Sequence, residues 1–222
     1  MTEKVRLDDN RYVLLSDDPE EARALLAKGE AVAGILQEDE RDWSGVRYLT
    51  TGEDVPEEEW LEMVHARCRQ LPVEIARTER LLIREAVPED AAALVELYKD
   101  EDFRLNLEPI RETAEEEAES IRAYIRYVYG FYGYGMWVVT DLSGRIIGRV
   151  GLECNAGEEG LELGYAIAKE RRGRGLAEEA CRAVLNYARE RLDEDRIYAR
   201  IRPDNEASMK LASKLGIRIV EI

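Results

Sequence analysis

GYAIAKERRGRGLAEEA, residues 164–180, decides the reading of this chain. An apolar run of strand character ends at Ala168, a turn rich in glycine and arginine follows, and a helical pattern opens at Leu176. Gly173 and Gly175 carry no side chain, so a phosphate can approach the main chain closely. The first turn of a helix offers N–H groups without intrahelical acceptors, together with the positive end of the helix dipole. Arg171, Arg172 and Arg174 add positive charge to the same place. These features together read as an anion cradle. The spacing is not that of a Walker A loop, which needs a Gly-Lys-Ser/Thr end. It is not the Rossmann fingerprint either, because Ala177 and Glu178 follow Gly175. On this segment alone, a plain strand–helix turn stands beside the phosphate site, since glycine turns are common.

Working outward, LELGYAIA (161–168) is the third strand of a meander. MWVVTDL (136–142), the tight turn SGR (143–145) and IIGRVGLE (146–153) form the hairpin before it. Downstream, the helix over 176–191 carries Ala177, Ala180, Cys181, Val184, Leu185 and Ala188 as one apolar stripe. RIYARIR (196–202) is a strand, Pro203-Asp204-Asn205 opens a last helix that ends at Leu215-Gly216, and IRIVEI (217–222) is a final strand. Upstream, TERLLIREAV (78–87) reads as a strand, Pro88-Glu89-Asp90 starts a helix, and residues 102–112 read as a loop. A second, acidic-headed helix is expected from Thr113 to Tyr129, broken by Gly130, Gly133 and Gly135.

Residues 1–75 form a separate pattern. RYVLL (11–15), AVAGIL (31–36) and VRYLT (46–50) are apolar strands, with a polar loop QEDERDWSG at 37–45. Ser16-Asp17-Asp18-Pro19-Glu20-Glu21 is a strong helix start, and that helix stops at Gly29. Pro56 opens a second helix with Trp60, Leu61, Val64 and Cys68 at helical spacing. Strand–helix–strand order implies a small parallel α/β subdomain over 1–75, ahead of a larger domain over 76–222.

The bulk composition excludes several classes. Net charge is −16, which argues against nucleic acid as a partner because phosphate binding needs a basic surface. It suits long-range attraction of a cationic acceptor, and it equally suits solubility alone. Three widely spaced cysteines, Cys68, Cys154 and Cys181, make neither a disulfide framework nor a zinc site, so no metal is expected. Cys154 and Cys181 read as core thiols. The N-terminus has no apolar signal core and no run approaches a membrane span, so the expected setting is a reducing cytoplasm with no membrane partner. His65, the one histidine, fits packing better than catalysis. The bias toward Glu, Arg, Ala and Leu suits a thermophile and also a redesigned sequence.

Arg172-Gly173-Arg174-Gly175-Leu176-Ala177 resembles the Q/R-x-x-G-x-G/A signature of the GNAT acetyltransferase superfamily. Glu162-Leu163-Gly164-Tyr165 resembles the corresponding strand of its RimJ/RimL-like branch. Pro203-x-Asn205-x-x-Ser208, Lys214-Leu215-Gly216 and Thr78-Glu79-Arg80-Leu81 resemble further motifs of that branch, in order. The resemblance implies a mixed, mostly antiparallel sheet with helices on both faces, whose central strands splay to admit acetyl-coenzyme A. It implies an N-acetyltransferase acting by direct attack of a primary amine, from a protein N-terminus or a small cationic molecule, with a homodimer as a compatible assembly. Backbone N–H groups of Arg172, Gly173, Arg174, Gly175, Leu176 and Ala177 would bind the pyrophosphate. The main chain of Ile167, Ala168 and Lys169 would pair with the pantetheine arm as an added strand. Asn205 would contact that arm by its amide, or serve only as a helix-start residue.

The resemblance also assigns chemistry. Glu162 falls where related enzymes carry a base, with Glu153 on the neighbouring strand as a second candidate or a cross-strand partner. The tyrosine that many members use to protonate the leaving thiolate is replaced here by Ala212, which makes Ser208 the candidate donor. Tyr132 and Tyr134, in the glycine-rich segment, are the aromatic candidates for the acceptor pocket; the other rings of that segment suit the core. The family carries one more strand than IRIVEI supplies, and residues 1–75 resemble an N-terminal extension of some bacterial members. A coenzyme A-binding module without catalysis, or an engineered scaffold, is the alternative reading.

Overall fold

The computed structural model describes residues 1–37, 41–52 and 56–222, so Glu38–Glu40 of the polar loop lie outside the described residues. The chain divides into two units, Met1–Val73 and Glu74–Ile222.

In the first unit the order is β1 (Thr2–Arg6), β2 (Tyr12–Ser16), α1 (Pro19–Ala27), β3 (Val32–Ile35), β4 (Leu49–Thr50) and α2 (Glu58–Cys68). The strands lie in that order across one sheet. β2–β3 and β3–β4 are parallel, as the strand–helix–strand order requires. β1 adds an antiparallel edge that the sequence pattern does not announce, because its TEKVR residues are only half-buried or exposed. The Asp8 carboxylate closes that hairpin by accepting from the N–H groups of Asn10 and Arg11. Asp18 caps α1 by accepting from the N–H groups of Glu20 and Glu21. His65 is buried, with Nδ1 2.9 Å from the carbonyl of Tyr12, which is a packing role.

The second unit runs β5 (Glu74–Arg77), β6 (Leu81–Arg84), α3 (Ala91–Leu97), α4 (Glu101–Asn106), α5 (Ala114–Tyr124), α6 (Gly130–Tyr132), β7 (Met136–Asp141), β8 (Ile146–Glu153), β9 (Leu161–Ile167), α7 (Leu176–Arg191), β10 (Ile197–Ile201), α8 (Glu206–Leu215) and β11 (Arg218–Glu221). Its seven strands lie in the order β11-β10-β9-β8-β7-β6-β5. From β5 to β9 every pairing is antiparallel, while β10 is parallel to both β9 and β11. Side-chain alternation sorts the two faces. Trp137, Val139, Val150, Leu152 and Leu163 pack against Cys181, Val184 and Ala188 of α7. On the opposite face Val138 packs with Leu94 and Ile121, and Met136 and Ala166 pack with Tyr98 and Phe103.

Two local readings need correction. Residues 102–112 are not all loop, because Glu101–Asn106 form α4, capped by the Asp100 side chain on the N–H of Asp102. The element is too short for its sequence to show a helical period. Gly130 does not break the second helix. The chain continues from α5 through a π-helical segment, Ile125–Tyr129, and stops only at Gly133, where φ is 76°. The wider π turn brings Tyr124 and Tyr129 together, with ring centroids 4.9 Å apart. Both reach Met136: its N–H donates to the Tyr124 hydroxyl at 2.9 Å, and its carbonyl accepts from the Tyr129 hydroxyl at 2.7 Å.

Candidate active site

β9 and β10 pair at only two positions, Leu161↔Ile197 and Glu162↔Tyr198. Leu161 donates its N–H toward β10, to the carbonyl of Arg196, while Ala168 donates to Ile147 on β8. By strand alternation, odd-numbered residues of β9 turn their main-chain groups toward β10. Past Glu162 the register ends, so the main chain of Tyr165 and Ile167 faces an opening between the strands. A cleft of about 540 Å³ fills that opening, lined by Tyr165, Ile167, Gly173, Gly175, Asn205 and Ser208 among others. Its volume lies within the usual range for small-molecule sites.

The turn that closes one end of this cleft has free donors. Among the described residues, the N–H groups of Gly173, Arg174, Gly175, Leu176 and Ala177 meet no acceptor. Gly173 and Gly175 have φ of 72° and 75°, a conformation that side chains resist, and a Cβ at Gly173 would enter open space where a ligand approaches. The donor set therefore fits a phosphate. Arg172 departs from the expectation: its N–H already donates to the carbonyl of Lys169 at 3.3 Å. Its side chain donates to the carbonyl of Ile167 at 2.7 Å and to Asp100 at 2.6 Å, and it also pairs with Asp102. The Ile167 carbonyl thus already accepts one hydrogen bond, and the Ala168 N–H is spent on Ile147. Arg172 instead ties α4 to the end of β9.

Asn205 is the N-cap of α8, accepting from the Ser208 N–H at 3.1 Å, while its amide donates to Asn106 of α4 at 2.9 Å. It therefore lines the cleft and caps a helix at once. The hydroxyl of Ser208 faces no partner among the described residues. The Tyr165 hydroxyl donates to the Ser208 carbonyl at 3.1 Å. Burial pushes the Tyr165 phenol up to about 12. Ala212 is fully buried.

A second region adjoins the cleft. Cavities of about 160 Å³ and 90 Å³ share Glu108, Met136 and Glu153, and the larger shares Asn106 and Arg202 with the cleft. Glu153 and Glu162 face each other across β8 and β9. Glu162 accepts from Arg200 at 2.8 Å and from Asn155 at 2.6 Å. Glu153 has neither partner; burial raises its pKa, and the nearby charges of Glu108 and Glu162 push the same way, against Arg149 and Arg200.

Tyr132 and Tyr134 are not brought to this place. Tyr134 packs with the α7-side core, and Tyr187 of α7 donates to the carbonyl of Gly133, so this aromatic pair lies across the sheet from Glu153. The turn that ends α6 aims these rings at α7. Cys181 is buried as expected, but Cys154, just past the end of β8, is exposed and not a core thiol. Three contributors escape a sequence reading: Arg149, Tyr165 and Arg80. Arg80 donates to the Arg174 carbonyl at 2.9 Å and to Glu179 at 2.6 Å, and Thr78 joins Glu179 at 2.6 Å. The TERL segment thereby braces the cradle, which is a physical use for that motif.

The comparisons with known proteins agree with this geometry. The model of the acetyltransferase (GNAT) domain matches residues 80–218. The uncharacterized protein YkkB of Bacillus subtilis (strain 168) is 34% identical over 89 residues, which cover 39% of this chain and 52% of YkkB. The chain thus spans about half the length of that relative. The uncharacterized N-acetyltransferase p20 of Bacillus licheniformis is 26% identical over 153 residues, covering 66% of this chain and 83% of p20. Among solved structures, RimL, a ribosomal L7/L12 alpha-N-protein acetyltransferase, superposes with a TM-score of 0.56 at 18% identity, covering 65% of this chain and 80% of its own, which bears on the fold. This chain belongs to the GNAT acetyltransferase family and is an acyltransferase. Among the described residues no helix is long and apolar enough to cross a membrane.

Proposed function

We propose that the chain transfers an acetyl group from acetyl-coenzyme A to a primary amine by direct attack. The observation that carries this reading is the conjunction of the β9–β10 opening with the unspent N–H groups of Gly173–Ala177. Acetyl-coenzyme A supplies the thioester whose C–S bond breaks. The cradle holds its pyrophosphate, and the Tyr165 main chain pairs with its arm in place of a strand.

Glu153 is the base in this reading, and Glu162 stays bound to Arg200 and Asn155. A carboxyl with a raised pKa accepts a proton near neutral pH better than an ordinary one. Glu153 takes the proton from the ammonium, so that the amine nitrogen forms the C–N bond as the C–S bond breaks. The nitrogen then loses its second proton, and the departing thiolate gains one. Ser208 donates a hydrogen bond to the sulfur from its free hydroxyl. The balance is one ammonium and one thioester in, one amide, one thiol and one proton out. The acceptor is a protein N-terminus or a small cationic amine, a reading supported by the N-acetyltransferase naming of p20 and by the carboxylates around Glu153.

The test is thermal unfolding with coenzyme A and acetyl-coenzyme A, followed by turnover on an amine panel. A ligand at a hundred times its Kd adds about 2.7 kcal/mol of stability. A stabilised protein that acetylates no amine would leave a coenzyme A-binding module; no stabilisation by either ligand overturns the proposal.

A further inference from the structure

Arg149 sits on β8 with its side chain on the α4–α5 face and is only 9% exposed. A guanidinium so deep in a protein is ordinarily matched by a carboxylate, because an uncompensated buried charge is costly. Among the described residues Arg149 has none: it makes no ion pair there, and its partners are the Tyr98 hydroxyl at 3.0 Å and the Met136 carbonyl at 3.0 Å. Its Nε donor has no acceptor. A guanidinium has five N–H donors, so most of this one is unspent.

Arg149 lines the 90 Å³ cavity that also holds Tyr124 and Glu153. The Tyr124 hydroxyl accepts from the Met136 N–H, and its own proton meets no acceptor among the described residues. At one end of the cavity there are thus spare donors on Arg149 and Tyr124. At the other end Glu153 and Glu108 carry carboxylates that make no ion pair among the described residues. A purely cationic ligand leaves Arg149 unmatched, and a purely anionic one meets the two glutamates. A ligand with both charges satisfies both ends.

We propose that the acceptor is a zwitterion whose carboxylate pairs with Arg149 and Tyr124 while its ammonium reaches Glu153. This rests on the acetyl-transfer reading and names the substrate class of that site. Arg149 and Glu153 are four residues apart on one strand, about 13 Å between Cα atoms at 3.3 Å per residue. Their side chains shorten that span without closing it. The two charges of the acceptor are therefore separated by a short chain, as in an ω-amino acid or the free amino acid lysine, and are not borne on one carbon.

The experiment compares ω-amino acids of two to five methylenes with n-alkylamines of matching length, using wild type, Arg149→Met and Arg149→Lys. For at least one length, wild type should show kcat/KM at least tenfold higher for the amino acid. In Arg149→Met that ratio should fall to within about twofold of one, because an apolar side chain of similar reach removes the charge and keeps the packing. Arg149→Lys should retain part of the preference. Arg149→Met should also unfold no lower than wild type, which separates lost recognition from lost folding. Alkylamines acetylated as well as the amino acids at every length, or a preference that survives Arg149→Met, overturn the proposal and leave acetyl transfer standing. If no amine is acetylated, acetyl transfer itself fails, and unfolding in the presence of the same amino acids decides the Arg149 site. Stabilisation of wild type but not Arg149→Met supports it, and no stabilisation of either overturns it.

Discussion

Glu153 and Glu162 stand directly opposite each other on β8 and β9, and among the described residues only Glu162 of the two has a cationic partner, Arg200 at 2.8 Å. Two carboxylates in that position repel unless one is neutralised or protonated. Arg200 serves Glu162, which is why the proposed mechanism gives the proton-accepting role to Glu153. Glu153→Gln should lower kcat by about 10²–10⁴-fold, the usual weight of a positioned base, with little change in the KM for acetyl-coenzyme A. Glu162→Gln should cost less than about tenfold. Steady-state kinetics on both variants decides, and a larger loss in Glu162→Gln would move the base to that residue.

The same carboxyl links pH to stability. The folded-state pKa of Glu153 is raised, chiefly by burial, so the folded chain holds its proton more tightly than the unfolded chain does. Its contribution is fully present below the unfolded pKa and is lost as pH rises through the folded value. Glu153→Gln should therefore be more stable than wild type at pH 8, by about 1.4 kcal/mol for each unit of the raised pKa, with the difference vanishing in acid. Paired denaturant melts at pH 4 and pH 8 test the sign.

At the cradle, Gly175→Glu should abolish coenzyme A binding. It forces a side chain onto φ 75° and puts a negative charge beside the free N–H groups. Wild type should gain about 2.7 kcal/mol of stability at a hundred times Kd, and the variant none. An equal melting shift in both proteins would remove the turn from the binding site.

Arg80 acts on the cradle from outside. It holds the Arg174 carbonyl and the Glu179 carboxylate, so Arg80→Ala frees the turn to move. The KM for acetyl-coenzyme A should rise by about five- to thirtyfold, equivalent to about 1–2 kcal/mol, the weight of one or two ordinary hydrogen bonds, while the pH dependence of kcat stays in place. Arg80→Lys should restore part of the loss.

Tyr132 gives a control on the opposite face. Tyr132 is half exposed and contacts Phe131 and Tyr134, away from Glu153. Tyr132→Ala should leave the acceptor KM within about twofold, as surface changes usually do. A larger rise would return the aromatic segment to the acceptor pocket.

Much of this architecture was legible because its elements are long and strongly patterned. β8 and α7 begin and end where the apolar period and glycine turns place them, and Pro203-Asp204-Asn205 starts α8 at its cap. The free N–H groups of the cradle follow from the same grammar. What stayed hidden depends on neighbours distant in the chain. Nothing local distinguishes Glu153 from Glu162, because the difference is Arg200, which arrives from β10. Arg149 reads as one polar residue inside a strand, and its isolation emerges only when Tyr98 and Met136 close around it. Tyr132 and Tyr134 stand out by their place in a glycine-rich segment, which does not say to which face of a sheet a turn delivers its rings.

The π-helical segment at Ile125–Tyr129 amounts to an α-helix carrying one surplus residue. In a regular helix, residues five apart point about 140° away from each other, so Tyr124 and Tyr129 could not both clasp Met136. Deleting a single residue between them would restore regular winding and leave the second tyrosine four places after the first, about 40° apart on one face of the helix. The surplus residue is therefore the place where this helix absorbs a one-residue change in length without parting the two rings. The same gap elsewhere in α5 would turn one end of the helix by about 100° against the other.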